Sequence, residues 1–361
     1  MVLLGKNKKV NGLPFCQSML ERGKMKITIY DVAKKANVSI ATVSKVINEN
    51  GSISPRTRTR VKEVMNELHY RPNLMAAALT KQKTNTIGLI VPDITNPFHS
   101  EISRIINNLC RERDYSVTIC NTDDDKEKTL NYIDQLMQRS VDGIIICSPV
   151  PCTDKVKEII QNDFPIVLLT TELNGVNANT VLVDEYAGTY NAVDHLIRQG
   201  CQSICFLGGK GVDNNSSKFR AYNDIMTEYG LPINKVSTNH INSAVLRDSN
   251  NLEGLFDATH YDGLFACSDI LAVGALHEAQ RKGISVPKSL KIAGFDNTFL
   301  ACITTPQITS ASQPVDDMCQ KAVDFIIEEI ENKEANNAKI TRQKILFPSR
   351  LYQRGSSIDT E

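Results

Sequence analysis

No stretch of this 361-residue sequence approaches the ~20 consecutive apolar residues that a bilayer-spanning helix needs. None of the ten cysteines forms a C-x-x-C pair, and the six histidines do not cluster beside them, which argues against a zinc centre. Cys120, Cys147, Cys205 and Cys267 each sit in an apolar strand-like run, where a thiol behaves as a small hydrophobe. Reduced thiols and a cytoplasmic location are the expectation. There is no G-x-x-x-x-G-K-[ST], no G-x-G-x-x-G and no G-x-S-x-G, and Gly208-Gly209-Lys210-Gly211 lacks both the spacing and the hydroxyl of a phosphate loop. His195 lies on an amphipathic stretch with no nucleophile at motif spacing, so a structural role is expected for it. No catalytic role, cofactor or metal is expected. Met1–Lys24 lacks the apolar core of a signal peptide and reads as a disordered extension, with Met25 as an alternative start of translation.

Net charge is also missing, and its absence hides an asymmetry. Residues 25–83 carry 11 Lys/Arg against 4 Asp/Glu, net +7, whereas residues 84–361 are net −11 and the first 24 residues net +4. A small basic head on a large acidic body points to a polyanion partner for the head alone. It excludes a chain that coats nucleic acid along its whole length. The length accommodates two or three domains.

The head, residues 25–72, reads as three short helices. Thr28 is a good N-cap, and Ile29, Val32, Ala33 and Ala36 recur at helical spacing. Asn37-Val38 breaks that helix, and Ser39 caps a second with Val43, Val46 and Ile47 inward. Ser54-Pro55 starts a third, with Val61, Val64, Met65 and Leu68 as its stripe, and Tyr70-Arg71-Pro72 stops it. Two short helices and a tight turn, closed by a third, form a helix-turn-helix unit. The second helix presents Ile40, Ala41, Thr42, Ser44 and Lys45 near or at its outer face, small enough to seat in a major groove and polar enough to reach phosphates or base edges. An ordinary three-helix bundle with a solvated face has the same pattern.

Ile27-Thr28-Ile29-Tyr30-Asp31-Val32-Ala33, then Val38-Ser39, then Thr42-Val43-Ser44-Lys45-Val46-Ile47-Asn48 closely resembles the signature of LacI/GalR-type bacterial transcription regulators. Tyr70-Arg71-Pro72-Asn73, followed by Ala76 and Leu79, resembles that family's hinge segment, and the resemblance runs on to Arg354-Gly355-Ser356-Ser357. It implies a dimer that reads a near-palindromic double-stranded DNA operator through Thr28, Tyr30, Ser39, Ile40, Ala41, Thr42, Ser44, Lys45 and Asn48. Asn73, Ala76 and Leu79 of a hinge helix over 73–83 would add to these contacts. The family usually has arginine where Lys45 stands, and lysine cannot give a bidentate fork to guanine.

From Thr84 the chain alternates apolar runs with amphipathic stretches. The strands expected are Thr86–Val91, Ser116–Cys120, Gly143–Cys147, Ile166–Leu169, Thr180–Val183, Ser203–Leu207, Gly263–Cys267 and Leu290–Gly294, an order of parallel α/β units too long for one comfortable sheet. The resemblance implies a two-lobed, periplasmic-binding-protein-like body over 84–361, with parallel sheets and helices on both faces. Its N-lobe would span 84–185 plus 314–335 and its C-lobe 186–313 plus 336–356. Ligands of such sheets sit at the carboxyl ends of strands. Polar residues and one aromatic follow those ends, and Asp93, Phe98, Thr170, Lys218, Ser268, Asp296 and Gln313 are the candidate residues for a small-molecule effector. A helix-cap or turn role stays open for each, most strongly for Asp296 and its neighbour in kind Asp269.

Five positions of the body also depart from the family pattern: Thr170-Thr171 for Asp-Arg, Lys218 for arginine, Ser268 for asparagine and His99 for an aromatic. These remove guanidinium forks and weigh against a typical sugar effector. A second reading is a catabolite-control-type regulator whose body answers to a phosphoprotein. The helix after Gln313-Pro314, however, offers Asp316, Asp317, Asp324, Glu328 and Glu329 against Lys321, and would repel a phosphoserine. A third is a cytosolic small-molecule-binding module without DNA contact.

The charge asymmetry gives a first prediction. DNA affinity of the full chain falls at least about tenfold between 50 and 200 mM salt, because Lys/Arg–phosphate contacts release counterions. A filter-binding titration that is flat over this range contradicts a phosphate-anchored head.

Overall fold

A computed structural model describes residues 27–48, 51–71, 83–151, 153–173, 175–209, 214–237, 252, 254–257, 260–335 and 341–358. Two compact units divide the chain between Gln82 and Lys83. The expected hinge residues Asn73, Ala76 and Leu79 lie outside the described residues, as does the 1–24 extension.

The first unit holds α1 (Ile29–Ala36), α2 (Ile40–Ile47) and α3 (Pro55–Glu67). Thr28 begins α1, its backbone N–H and its hydroxyl both donating to the Asp31 carboxylate at 2.8 and 2.7 Å. Asn37 closes that helix in the left-handed region at φ 54°, which asparagine tolerates. Ser39 and Ser54 cap α2 and α3 by accepting from the backbone N–H groups of Thr42 and Thr57, and Pro55 opens α3. Val32, Ala33, Ala36, Val43, Val46, Val61 and Val64 form the shared core.

The second unit contains two six-stranded sheets. Its elements run β1 (Thr86–Val91), α4 (Pro97–Arg111), β2 (Ser116–Asn121), α5 (Lys126–Gln138), β3 (Gly143–Ile146), α6 (Asp154–Gln161), β4 (Ile166–Leu169) and β5 (Asn179–Val183). Next come α7 (Glu185–Arg198), β6 (Ile204–Gly208), α8 (Ser217–Glu228), β7 (Asn234–Ser237), β8 (Gly263–Ala266), α9 (Asp269–Arg281), β9 (Lys291–Asp296), α10 (Phe299–Ile303) and β10 (Thr309–Ser312). The chain ends with α11 (Val315–Glu334), β11 (Lys344–Phe347) and β12 (Arg350–Tyr352). The first sheet orders β11-β5-β4-β3-β1-β2 and the second β12-β10-β9-β8-β6-β7. Every described pairing is parallel except that of β10 with β12.

Strand periodicity explains the helices on both faces. In β3, Ile145 joins the core with α4 and α11, while Ile144 and Ile146 join the opposite core with α5 and α6. A strand buried on both sides reads as a continuous apolar run, which is why these strands were legible.

The chain crosses between lobes three times, after β5, after β10 and after β11. The third crossing corrects the expected boundary. Residues 344–347 pair with β5 in the N-lobe sheet, so 336–356 is not all C-lobe; only β12 at 350–352 joins the C-lobe sheet. The crossings are bonded to one another. Asp184 N donates to Phe347 O at 2.8 Å, and Ser349 Oγ donates to Ser312 O at 2.8 Å. Gly188 on α7 makes room: a Cβ there would stand 2.6 Å from Ser349 Oγ.

A buried ionic cluster fastens α11 to the edge where β11 joins. Glu329, fully buried, accepts from Asn179 Nδ2 at 2.7 Å and faces Arg342 Nε at 3.5 Å. The Arg342 guanidinium also reaches Asp163 and the carbonyls of Ile160 and Asn177. Burial pushes the Glu329 carboxyl above the usual range, and Arg342 pulls it back. Arg342→Met therefore costs the body about 3 kcal/mol in urea unfolding, because it strands a buried carboxylate. Adding Glu329→Gln recovers most of that loss; a double variant as unstable as the single would show that packing, not charge, sets the cost.

Candidate functional site

In the head, α2 projects a face of small and polar residues. Ser39, Ile40, Ala41 and Lys45 are exposed, while Thr42, Ser44 and Asn48 are half-buried. Thr28 and Tyr30 are exposed at the start of α1, Tyr30 to 67%. Five of these candidates already have partners within the head. The Thr28 hydroxyl is held by Asp31, Thr42 Oγ1 shares a hydrogen bond with Ser39 Oγ at 2.9 Å, and Asn48 Nδ2 donates to Ser44 O at 2.9 Å. Ile40, Ala41 and Lys45 are thus the residues this face leaves most available.

In the body, a cavity of about 570 Å³ opens at the carboxyl ends of the strands, with walls from both sheets. Phe98, Thr170, Lys218, Ser268, Asp296 and Gln313 all line it. Asp93 does not. Its Oδ1 accepts from the backbone N–H of Thr95 at 2.8 Å and from the Thr95 hydroxyl at 2.7 Å, an Asx-type turn that shapes the loop after β1. The turn role wins at that position.

Phe98 is held at the start of α4 by Asn96, which caps the helix by accepting from Phe98 N at 3.0 Å. Beside it stands His99, ring centroids 5.4 Å apart. Burial lowers the His99 imidazole to about 4 against the opposing pull of Asp93, so the ring is neutral at pH 7.

Lys218 sits in the first turn of α8 with its Nζ 3.2 Å from Glu185 Oε1, 3.1 Å from the Cys267 carbonyl and 3.9 Å from the centre of the Phe295 ring. Burial by itself would lower this ammonium, but Glu185 and then Asp296 outweigh it and carry it up to about 12. Lys218 is therefore a fixed charge.

Asp296 ends β9 at φ 103°, and its Oδ1 accepts from Gln313 Nε2 at 2.8 Å. It is not a helix cap; Thr298 stands at the N-cap of α10. Burial pushes the Asp296 carboxyl up, Lys218 pulls it down, and Asp269 adds a further push. Asp269 does not cap α9 either, since Ser268 does, by accepting from Leu271 N. Fully buried, Asp269 instead clamps the loop that carries Asp296. It accepts from Thr298 N at 2.5 Å, from Thr298 Oγ1 at 2.9 Å and from Ser310 Oγ at 2.6 Å. Arg354 Nη2 donates to Asn297 Oδ1 at 2.6 Å from the other side.

Sequence reasoning missed Glu185, the partner of Lys218, although it follows β5 as the other turn residues follow their strands. It missed Lys344 and Leu346, which reach the cavity from β11. His195 has the expected structural role: buried, its Nε2 shares a 2.7 Å hydrogen bond with Ser357 Oγ.

Comparison with known proteins follows this division. Residues 28–73 match the model of the lacI family of bacterial regulatory proteins, and residues 193–357 match a periplasmic binding protein-like domain. The chain is 35% identical over 337 residues to the HTH-type transcriptional regulator DegA of Bacillus subtilis, covering 92% of this chain and 98% of that one. It is 34% identical to catabolite control protein A of Priestia megaterium, covering 92% and 100%. In fold it resembles the lac repressor dimer bound to operator and the anti-inducer ONPF, with TM-score 0.79 at 22% identity, covering 93% of this chain and 100% of that one.

The raised Asp296 carboxyl has a measurable consequence. A group whose folded pKa lies above its unfolded value binds its proton more tightly when folded, so stability rises as pH falls from neutral toward the ordinary carboxylate range. Lys218, Glu185, Asp269 and Gln313 all face it, so a difference measurement isolates it. The Tm of the parent relative to Asp296→Asn should rise as pH is lowered from 8 to 5.5. A constant difference would place the Asp296 pKa in the ordinary range.

Proposed function

This chain belongs to the LacI family of bacterial regulatory proteins, and from that premise we infer that it is a repressor which binds a near-palindromic operator as a dimer under the control of a small molecule in the body cavity. It is a DNA-binding transcription regulator with an effector-binding domain. The observation that carries the reading is the combination of two parts in one chain. One is a helix-turn-helix whose second helix exposes Ser39, Ile40, Ala41 and Lys45; the other is a cavity at the strand carboxyl ends walled by both sheets. Among the described residues no helix is long and apolar enough to cross a membrane. Residence in the cytoplasm, beside the DNA, and the absence of an enzymatic activity complete the proposal.

Dimerisation is supported by the logic of two heads on two half-sites. It is supported too by α10, whose Phe299 and Ile303, one helical turn apart, are 60% and 67% exposed. A second copy would cover them.

The phosphoprotein reading is not favoured. Of the acidic side chains expected on the α11 surface, Glu329 is buried against Arg342 and Asp324 pairs with Arg113 at 2.6 Å. Asp316, Asp317, Glu328 and Glu331 still outnumber Lys321 and Lys333 on that helix, a balance that repels a phosphate.

The test is a genome-wide footprint with the full chain, followed by the hinge. Asn73–Lys81 is too short, at ~9 residues, to hold helix alone in water. Paired with its mate over DNA it would gain contacts, and Leu79 would enter the minor groove as an apolar wedge. Leu79→Ala should leave dimerisation and Tm nearly unchanged, weaken operator binding by roughly 1–3 kcal/mol and reduce bending of the footprinted site. An unchanged affinity and bend would remove Leu79 from the mechanism. A footprint with no discrete sites would remove the repressor reading itself.

A further inference from the structure

Among the described residues, the carboxylates of the cavity wall outnumber its ammonium groups. Its carboxylates are Asp124, Glu172, Asp184, Glu185 and Asp296, and its ammonium groups are Lys218 and Lys344. Lys344 is bound to Glu172. Lys218 is bound to Glu185 and is at the same time the cation acting on Asp296. At the buried centre, then, one ammonium is shared by two carboxylates, and with Asp296 ionised the described wall is one positive charge short there.

The unpartnered polar atoms of the wall point the same way. Gln313 is about nine-tenths buried and gives its Nε2–H to Asp296, which leaves Oε1 as an acceptor; that oxygen is buried with no hydrogen-bond partner. His99 Nδ1 is likewise buried and unpartnered. The ring is neutral and its other nitrogen faces the Asp93 backbone, so Nδ1 is a bare acceptor. Unpaired buried acceptors are costly and are expected to meet a donor when the site is filled. An ammonium offers three donors and the missing charge. A carboxylate or phosphate offers neither: it would face two lone pairs, sit beside Asp296, and have to take Lys218 from Glu185.

We propose that the effector of this chain is a small polar molecule bearing a protonated amine, with the ammonium held by Asp296 and the acceptors of Gln313 and His99, and that anionic ligands are excluded from the cavity. The cavity, at about 570 Å³, admits a compound of modest size and offers Phe98 as an apolar wall. The proposal rests on reading this cavity as the effector site.

The experiment uses the full chain and four sets of compounds on matched two- to six-carbon skeletons: primary amines, neutral polyols, carboxylates and phosphate esters. Thermal shift finds binders in each set, and calorimetry measures them on the parent, on Asp296→Asn and on Gln313→Leu, with DNA binding as the check that each variant is folded. The expected result is that binders come from the amine set, and that both substitutions weaken them, Asp296→Asn at least tenfold. Binders among carboxylates or phosphates, or polyols that bind parent and Asp296→Asn alike with no amine binding, overturn the amine assignment while leaving the cavity as an effector site. A cavity that takes no compound of any set, in a chain that still binds DNA, overturns both.

Discussion

The Lys218 ammonium has two carboxylates to serve and one place from which to serve them. Its position is fixed from three sides, by the Cys267 carbonyl, by the Phe295 ring and by Glu185. Such a cation, desolvated over an aromatic face, is stable only while its counter-charge is close. Glu185 supplies that charge from the first residue of α7, directly after the first crossing between lobes. Asp296 supplies the other from the end of β9. The ion pair therefore does two things together: it fastens the first crossing to the C-lobe, and it sets the electrostatic character of the cavity.

Asp296 can occupy its strained position because its loop is held by groups that never touch the cavity. Asp269 clamps Thr298 and Ser310 from beneath, and Arg354 holds Asn297. Gln313 then orients the carboxylate from the second crossing. The wall that carries Asp296 and Gln313 thus rests on a crossing and on a loop bonded to it. Because the crossings are tied to each other through Asp184–Phe347 and Ser312–Ser349, a ligand that draws Asp296 or Gln313 inward also loads the segments joining the lobes. In this geometry a bound molecule biases lobe closure by as much as its contacts with two arrangements of the lobes differ.

Much of this was legible in the sequence, for identifiable reasons. β1 and β4 were read to their terminal residues because both faces of each are covered, which writes a strand as an unbroken apolar run. β10 was not, because Thr309-Ser310-Ala311-Ser312 is buried through hydrogen bonds to Ser356, Ser357 and Asp269 rather than through apolar side chains. β11 alternates exposed and half-buried residues, and its run of Ile345-Leu346-Phe347 is only three residues long, which is why the third crossing was placed too early and why Lys344 and Leu346 were absent from the expected cavity. Six of the seven candidate cavity residues came together because strand ends in doubly wound sheets converge in space whatever their separation in sequence. Asp93 was the exception. Nothing in Pro92-Asp93-Ile94-Thr95 distinguishes a carboxylate facing a cavity from one closing its own turn.

The cap and ligand readings of a turn residue were set against each other at every strand end, yet the structure shows that they need not compete. Ser268 gives one lone pair to Leu271 N as the cap of α9 and still lines the cavity. Asp184 caps α7 through Ala187 N and does the same. A cap is by construction the residue at which a helix N-terminus meets the carboxyl end of a strand, and in a parallel α/β lobe that junction is where the ligand sits. The residue that separates the two roles is Asp269. It has the side chain of a good cap and stands one position past the cap, in a strand-end turn whose neighbour lines the cavity, yet it is fully buried and all three of its bonds go to Thr298 and Ser310. Burial, not residue type, decides which of two adjacent polar residues faces the cavity and which holds the floor beneath it.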